Sequence, residues 1–479
     1  MFPQFFNSYA EWRQQAPWQL SLLERSDTPS EDLLQAVWFH QRLLRDRLVT
    51  LDGERVRVLH PGFWSHEPGP DFRGAVIQIG HAAPVQGDVE IDLRPADWKA
   101  HGHDTNPAFR NVVLHVIWRK GGAQLPPTVE MEKVLDSSIE ELRWWHGSDS
   151  ARAFPANLTG NCCAPLQELS ASQLAELLQQ AAIIRLHAKA SQFQARARQA
   201  GWEQALWEGL FRGLGYKRNT WPMLRVGELR DALCAGPKPP SVLSLQARLL
   251  GVGGLLPDEL TRQQRTTDDY LRRLWDSWWR DREMFAESAL PRVAWDLAGI
   301  RPANHPQRRL ALVAHWLADG GLCGRLEDWC KAVPKPGTEL ASLHHAMNVA
   351  EDAFWNRHWT LRSRSLAASQ PMLGATRVTD LAVNVVLPWL WVRAVEGRNE
   401  SLRREMERRY FAWPAAEDNS VLKLARQRLL GGAMPRGLKT AAMQQGLLQV
   451  VRDFCGHSNA VCTSCRFPEL VKAWGHRAG

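Results

Sequence analysis

The chain has 479 residues, of which 44% are hydrophobic and 23% charged, with a net charge of +8 and a pI near 9.2. This composition predicts an ordinary globular protein of two or three domains. The sequence has no run of eighteen apolar residues, so no transmembrane helix is expected. Its start, Met1-Phe2-Pro3-Gln4-Phe5-Phe6-Asn7, lacks the basic-then-apolar pattern of a secretory leader. A cytoplasmic location and no membrane partner are therefore expected. Eight cysteines in a long chain of this kind point to metal or free thiols rather than a disulfide framework. The positive excess is mostly arginine, which suits bidentate phosphate contacts and makes nucleic acid the expected partner. The 23 tryptophans are assigned mainly to helix–helix interfaces.

Residues 1 to 28 are polar and aromatic with weak periodicity. Ser30 to Leu48 predicts a helix: acids open it, Leu33, Leu34, Val37, Trp38, Leu43 and Leu44 form a stripe, and arginines close it. Arg55 to His60 alternates as a strand. Pro61-Gly62 and Pro68-Gly69-Pro70 punctuate turns. Ala75 to Ile79 and Asp88 to Leu93 predict a hairpin. Pro95 to His103 holds a short helical turn, and Asn111 to Trp118 a further strand. A short strand near Val129 and a helix over Ser137 to His146 complete the first 160 residues.

Helices are expected from there on: Ser172 to Ala200, Trp202 to Leu214, Leu243 to Leu250, Asp268 to Phe285, Gln307 to Leu317, Leu340 to Trp359, Arg377 to Val395, Ser401 to Trp413 and Lys439 to Cys455. No fixed internal period is visible, so no repeat solenoid is assigned. The expected class is α+β. A mixed-sheet domain occupies 1–160, a helical domain 161–454, and a cysteine-containing tail 455–479. The pairs Arg272-Arg273, Arg308-Arg309, Arg403-Arg404 and Arg408-Arg409 read as solvated helix faces, with a nucleic-acid groove as the alternative.

The chemistry concentrates between Gly69 and His115. Strand alternation puts Asp88, Glu90 and Asp92 on one face and Val89, Ile91 and Leu93 on the other. Three carboxylates in a row repel each other unless a cation sits among them. Asp71 precedes the second strand, directly after Pro70. His101 and His103 follow the acids within a dozen residues and point the same way only if that piece is extended. His115 sits inside a buried-looking strand, where a hydrogen-bonded core histidine is the alternative to a functional one.

The order helix, three strands, short helix, strand resembles the core of the PD-(D/E)XK nuclease superfamily. On that resemblance Asp71 and Glu90 hold Mg²⁺ or Mn²⁺. Asp92 stands where the superfamily carries lysine, and His101 or His103 assists proton transfer. The implied function is a metal-dependent nuclease acting on DNA or RNA. The alternatives are a non-catalytic nucleic-acid binder, or a small-substrate hydrolase whose zinc is held by His101, His103 and an acid.

The chain closes with Cys455-x6-Cys462-x2-Cys465, a soft-metal pattern that lacks one ligand. Cys163 or Cys162 is expected to supply it, with His457 as the alternative. The spacing resembles the first three cysteines of endonuclease III-type glycosylases. The distant fourth ligand resembles the iron–sulfur staple of AddB-type nucleases. An iron–sulfur cluster is expected, with Zn²⁺ as the alternative.

Several phrases together carry a wider resemblance. They are Gly69-Pro70-Asp71-Phe72, Gly87-Asp88-Val89-Glu90-Ile91, Asp97-Trp98 with His101 and His103, and Leu114-His115-Val116. Arg301-Pro302-Ala303-Asn304-His305-Pro306 with Arg309, Asn384 with Pro388, Gln444-Gln445-Gly446-Leu447-Leu448 and the terminal cysteines follow. On these the chain resembles, over nearly its whole length, the bacterial family catalogued as domain of unknown function 2851. The resemblance implies a shared architecture. This chain has Asp92 where the family pattern has histidine.

Overall fold

The structure is a computed structural model that describes residues 7–13, 29–65, 69–119, 126–146, 159–216, 218–261, 269–297, 300–332, 334–335, 337–418, 420–432, 439–455, 462 and 465–477. Its N-terminal part is a mixed sheet. β1 is Val56–His60, β2 Phe63–Trp64, β3 Phe72–Ile79, β4 Val85–Asp92, β5 Val112–Ile117 and β6 Thr128–Glu130. The strand order is β1-β3-β4-β5-β6, with β2 paired to β3. The pairs β1–β3 and β3–β4 are antiparallel, while β4–β5 and β5–β6 are parallel. The predicted hairpin is therefore present and begins three residues earlier, at Phe72.

One face of the sheet is apolar because alternate residues of the inner strands are. Val89 and Ile91 of β4 join Phe72, Ala75, Ile77, Leu114 and Val116 in a single core. The helix Glu31–Phe39 covers this face with Leu33, Leu34, Val37 and Trp38. Gly87 permits the close parallel approach of β5: a methyl group there would lie 2.2 Å from Val113 Cγ1 and 2.7 Å from Asn111 O.

The first helix stops at Phe39, not Leu48. The chain reverses at Gln41, whose φ is +49°. It then bridges Leu43 to Leu135, while the Arg42 guanidinium donates to Asp136. Leu43 reaches the core from this bridge and Leu48 from a loop, so the predicted stripe residue Leu43 is apolar for a reason other than a helix.

The rest of the described chain is mostly helical. Among the predicted helices, Ala171–Ala200, Trp202–Leu214 and Val242–Val252 form close to their expected positions. The helix expected over Leu340 to Trp359 ends at Met347. Beyond it the Asp352 carboxylate accepts from Phe354 N and Trp355 N, a local bonding pattern that replaces the helical one. The predicted Arg377–Val395 helix runs from Ala375 to Glu396 with a π-turn over Ala382–Val386. Pro388 has no N–H to donate to the carbonyl four residues earlier, and the wider turn lies just before it. By length and composition this 22-residue helix passes as a membrane span. However, 78% of its most apolar window is buried inside the fold, as in a core helix.

The chain forms two compact units. One comprises Met1–Ala195 with Trp391–Gly479, the other Arg196–Leu390. These units run across the sequence boundaries at 160 and 454. In the second unit, Arg308 is 1% exposed and donates to four backbone carbonyls, those of Trp355, His358, Gln370 and Pro371. Arg309 donates to Met372 O. In the first unit, Arg403 pairs with Glu400 and Glu407, and Arg409 with Glu405. Four of the eight paired arginines are thus buried fasteners rather than solvated faces.

Candidate functional site

The register of the central hairpin builds the site. Phe72 faces Val89 across the antiparallel pair, so Asp71 comes to lie opposite Glu90. Their groups interlock: Asp71 N donates to Glu90 Oε2 at 3.0 Å, and Ile91 N donates to Asp71 Oδ2 at 3.1 Å. The other carboxylate oxygen of Asp71 accepts from Gln35 Nε2 at 2.8 Å. Gln35 also donates to Glu31 Oε1 at 3.2 Å. Asp88, expected beside Glu90 and Asp92, is used differently. Its carboxylate accepts from Gly74 N at the irregularity between Phe72 and Ala75.

The parallel neighbour β5 supplies His115, which is fully buried and paired in register with Glu90. Its Nε2 donates to Asp92 Oδ2 at 2.9 Å. Asp92 is 2% exposed. Replacing His115 with Phe keeps the bulk and removes this donor from a buried carboxylate. The expected cost is about 3 kcal/mol, read as a fall in urea midpoint. A midpoint equal to wild type would show that Asp92 does not depend on His115.

His101 and His103 both reach the same acid although their segment is not extended. The helix Asp97–Ala100 ends at His101, and Gly102 takes a left-handed φ of +72°. That reversal lets two side chains two residues apart converge. His101 Nδ1 is 3.4 Å from Asp92 Oδ1. His103 Nδ1 is 3.6 Å from Glu90 Oε1 and 3.9 Å from Asp92 Oδ2. The His103 ring stacks on Phe109 at 4.0 Å, with Trp98 edge-on at 5.3 Å. The ligand atoms of Asp92, His101 and His103 all lie within 4.8 Å of one another, the spacing of a metal site.

Electrostatics describes a pocket overloaded with negative charge. Burial raises the pKa of Asp71, and the neighbouring Glu31 raises it further. Burial and Asp71 do the same to Glu90, and burial and Asp92 to Glu31. Burial lowers His103, leaving a neutral imidazole with a lone pair to donate. His103 Nδ1 is buried and has no hydrogen-bond partner among the described residues. Oxygen and imidazole donors of this kind fit a divalent ion such as Mn²⁺ or Zn²⁺.

The structure thus brings together Asp71, Glu90, Asp92, His101 and His103. It adds Glu31 and Gln35, which sequence reading treated only as the start of a helix. Their signal was the i, i+4 spacing of two polar residues along the edge of the apolar stripe.

The expected cysteines also come together, with one change. Cys162, not Cys163, lies beside the C-terminal trio. A methyl group built on Gly160 would be 3.3 Å from Cys162 Sγ and 3.8 Å from Cys462 Sγ. Burial raises the Cys162 thiol, and Cys455, Cys465 and Cys462 add to it. Cys163 Sγ lies 3.5 Å from the same test position on Gly431. The two cysteines are adjacent and Cys163 opens the helix Cys163–Glu168, so their side chains diverge. His457 is outside the described residues.

The family described as "Protein of unknown function (DUF2851)" matches residues 31–420, and the chain belongs to that family. No curated protein and no solved structure matches it.

Proposed function

We propose that this member of the DUF2851 family is a metal-dependent phosphodiesterase that cleaves nucleic acid, with a PD-(D/E)XK-like core as its sheet domain. The observation that carries the reading is the register that sets Asp71 against Glu90, with Asp92 two residues further along the same strand. The element order supports it: a helix, antiparallel β1, β3 and β4, a short helix, then parallel β5. Asp71 sits at the start of β3 and Glu90 within β4, as the two acids do in that core.

Asp71, Glu90 and Asp92 would hold the ion, with His101 and His103 at its open side. A bound divalent ion supplies an activated water and offsets charge on the scissile phosphate. Gln35 orients Asp71 through its side-chain amide. His115 orients Asp92, and Phe109 and Trp98 hold the His103 ring in place. The 53% exposed His101 is the member of the set placed to exchange a proton with solvent.

The test is incubation of the full chain with single- and double-stranded DNA and RNA, with Mn²⁺, Mg²⁺ or a chelator. Cleavage that requires the ion is expected. Retention of nucleic acid should weaken tenfold or more between about 50 and about 200 mM salt, as counterion release requires for a few phosphate contacts. No retention at low salt would rule out a polyanionic substrate.

A second reading is favoured by one observation, the compact Asp92–His101–His103 trio. Two imidazoles and a carboxylate also suit a zinc hydrolase acting on a small substrate. Salt-independent hydrolysis with zinc and no nucleic-acid retention would select it.

A further inference from the structure

None of the cysteines is among the residues of the acid pocket. Cys162 and Cys455 are buried within one core, and Cys465 packs against it. That core also takes Tyr9, Trp12, Leu166, Phe454 and Phe467, so it gathers the chain's two ends around the thiols.

Local structure delivers each sulfur. The helix Ala441–Val450 continues into a π-turn over Val451–Cys455, which carries Cys455 at its end. Asp453 in that turn is fixed by Tyr9 Oη at 2.8 Å and Arg13 Nε at 3.0 Å. Cys465 N donates to Cys462 O at 3.4 Å, folding the last two cysteines toward each other. Asn161 Nδ2 donates to Cys462 O at 3.4 Å, and Gly160 N donates to Arg428 O at 2.8 Å. The loop before Cys162 is thereby tied to the C-terminal segment.

We propose that Cys162, Cys455, Cys462 and Cys465 ligate an iron–sulfur cluster that fastens the C-terminal segment to residues 160–163. Two observations support it. The Arg428 guanidinium is 1% exposed, and its Nη2 donates to Cys462 Sγ at 3.3 Å. A buried cation beside sulfur is stabilised by thiolate, and metal ligation keeps cysteine in that form. The second observation is convergence: Cys162 and Cys455 lie in one core against which Cys465 packs, and the Cys162 and Cys462 sulfurs both border Gly160. Four soft thiolates suit an iron–sulfur cluster. The cluster's role is structural. It closes a loop of nearly three hundred residues between Cys162 and Cys455. The entropy this removes from the unfolded chain grows only logarithmically with loop length.

The adjacent cysteines give the test its contrast. Full-length protein purified without oxygen should be brown, with broad visible absorbance and equal amounts of iron and acid-labile sulfide. Cys163→Ser should keep the colour and the iron, and Cys162→Ser should lose both. If Cys162→Ser is insoluble, the metal content of the wild type and of Cys163→Ser still decides. A colourless wild type with stoichiometric zinc, a wild type with neither metal, or loss of the cluster in Cys163→Ser alone would each overturn the proposal.

Discussion

Glu90→Gln is expected to leave the protein folded and to reduce the proposed ion-dependent cleavage by about 10³-fold or more. The fold survives because the bond that Glu90 accepts from Asp71 N needs only an oxygen, which the amide retains. Activity falls because an ion in this pocket loses an anionic ligand. Metal stabilisation of the transition state amounts to several kcal/mol, and each 1.36 kcal/mol is about tenfold in rate. Thermal stability of the variant should match or exceed the wild type, because one of the mutually repelling acids is gone. This pairing of effects separates a ligand from a structural residue: a structural acid would lower both. Wild-type cleavage by Glu90→Gln would remove Glu90 from the ion site and with it the reason to place the chemistry on β4.

Much of this pocket was legible in the sequence, because strand alternation is strict. Once Val89 and Ile91 are assigned to the core, Glu90 and Asp92 must face away from it. From its own neighbours Asp71 read as a turn residue, and only the resemblance to the PD-(D/E)XK core paired it with Glu90. Its place opposite Glu90 depends on the Phe72–Val89 register, which is a long-range property of the sheet. The helix Glu31–Phe39 was read too long because Leu43 and Leu44 continue its apolar spacing, while Leu43 contributes to the core from a bridge outside the helix. The part played by Glu31 and Gln35 was missed for the same reason: their function lies on the face that the stripe does not mark. The histidine pair converges through the left-handed Gly102, a backbone choice that spacing alone does not reveal. The choice of Cys162 over Cys163 turns on which of two neighbours opens a helix, and helix starts are the least certain boundary in any sequence reading. Burial of Arg308, Arg309, Arg403 and Arg409 was likewise hidden, since a charged pair on a helix reads as surface until the carbonyls and acids around it are seen.

Without a divalent ion, the protein should lose stability as the pH rises from about 6.5 to about 8. The sign follows from linkage. Asp71, Glu90 and Glu31 hold their protons more tightly in the folded state than in the unfolded chain. A group raised in this way contributes its stability fully below the unfolded value, about 4 for a carboxylate. It loses that contribution as pH climbs through the folded value. His103, His187 and His305 act in the opposite sense, since burial lowers each of them: their contribution is complete above about 6.5 and is lost as pH falls. Above about 6.5 those imidazoles are neutral in both states while Asp71 and Glu90, held well above the ordinary carboxylate range, still titrate in the folded protein, so there the melting temperature should decline toward alkaline pH. An ion competes with protons for the same oxygens, so its stabilising effect should grow over the same range. At a hundredfold excess over Kd that effect reaches about 2.7 kcal/mol. Calorimetric scans at constant ionic strength, with and without Mn²⁺, measure both slopes. Glu90→Gln should flatten each of them. A melting temperature that does not change with pH in the metal-free wild type would show that these acids do not share their charge in one pocket, and the ion site would fail with it.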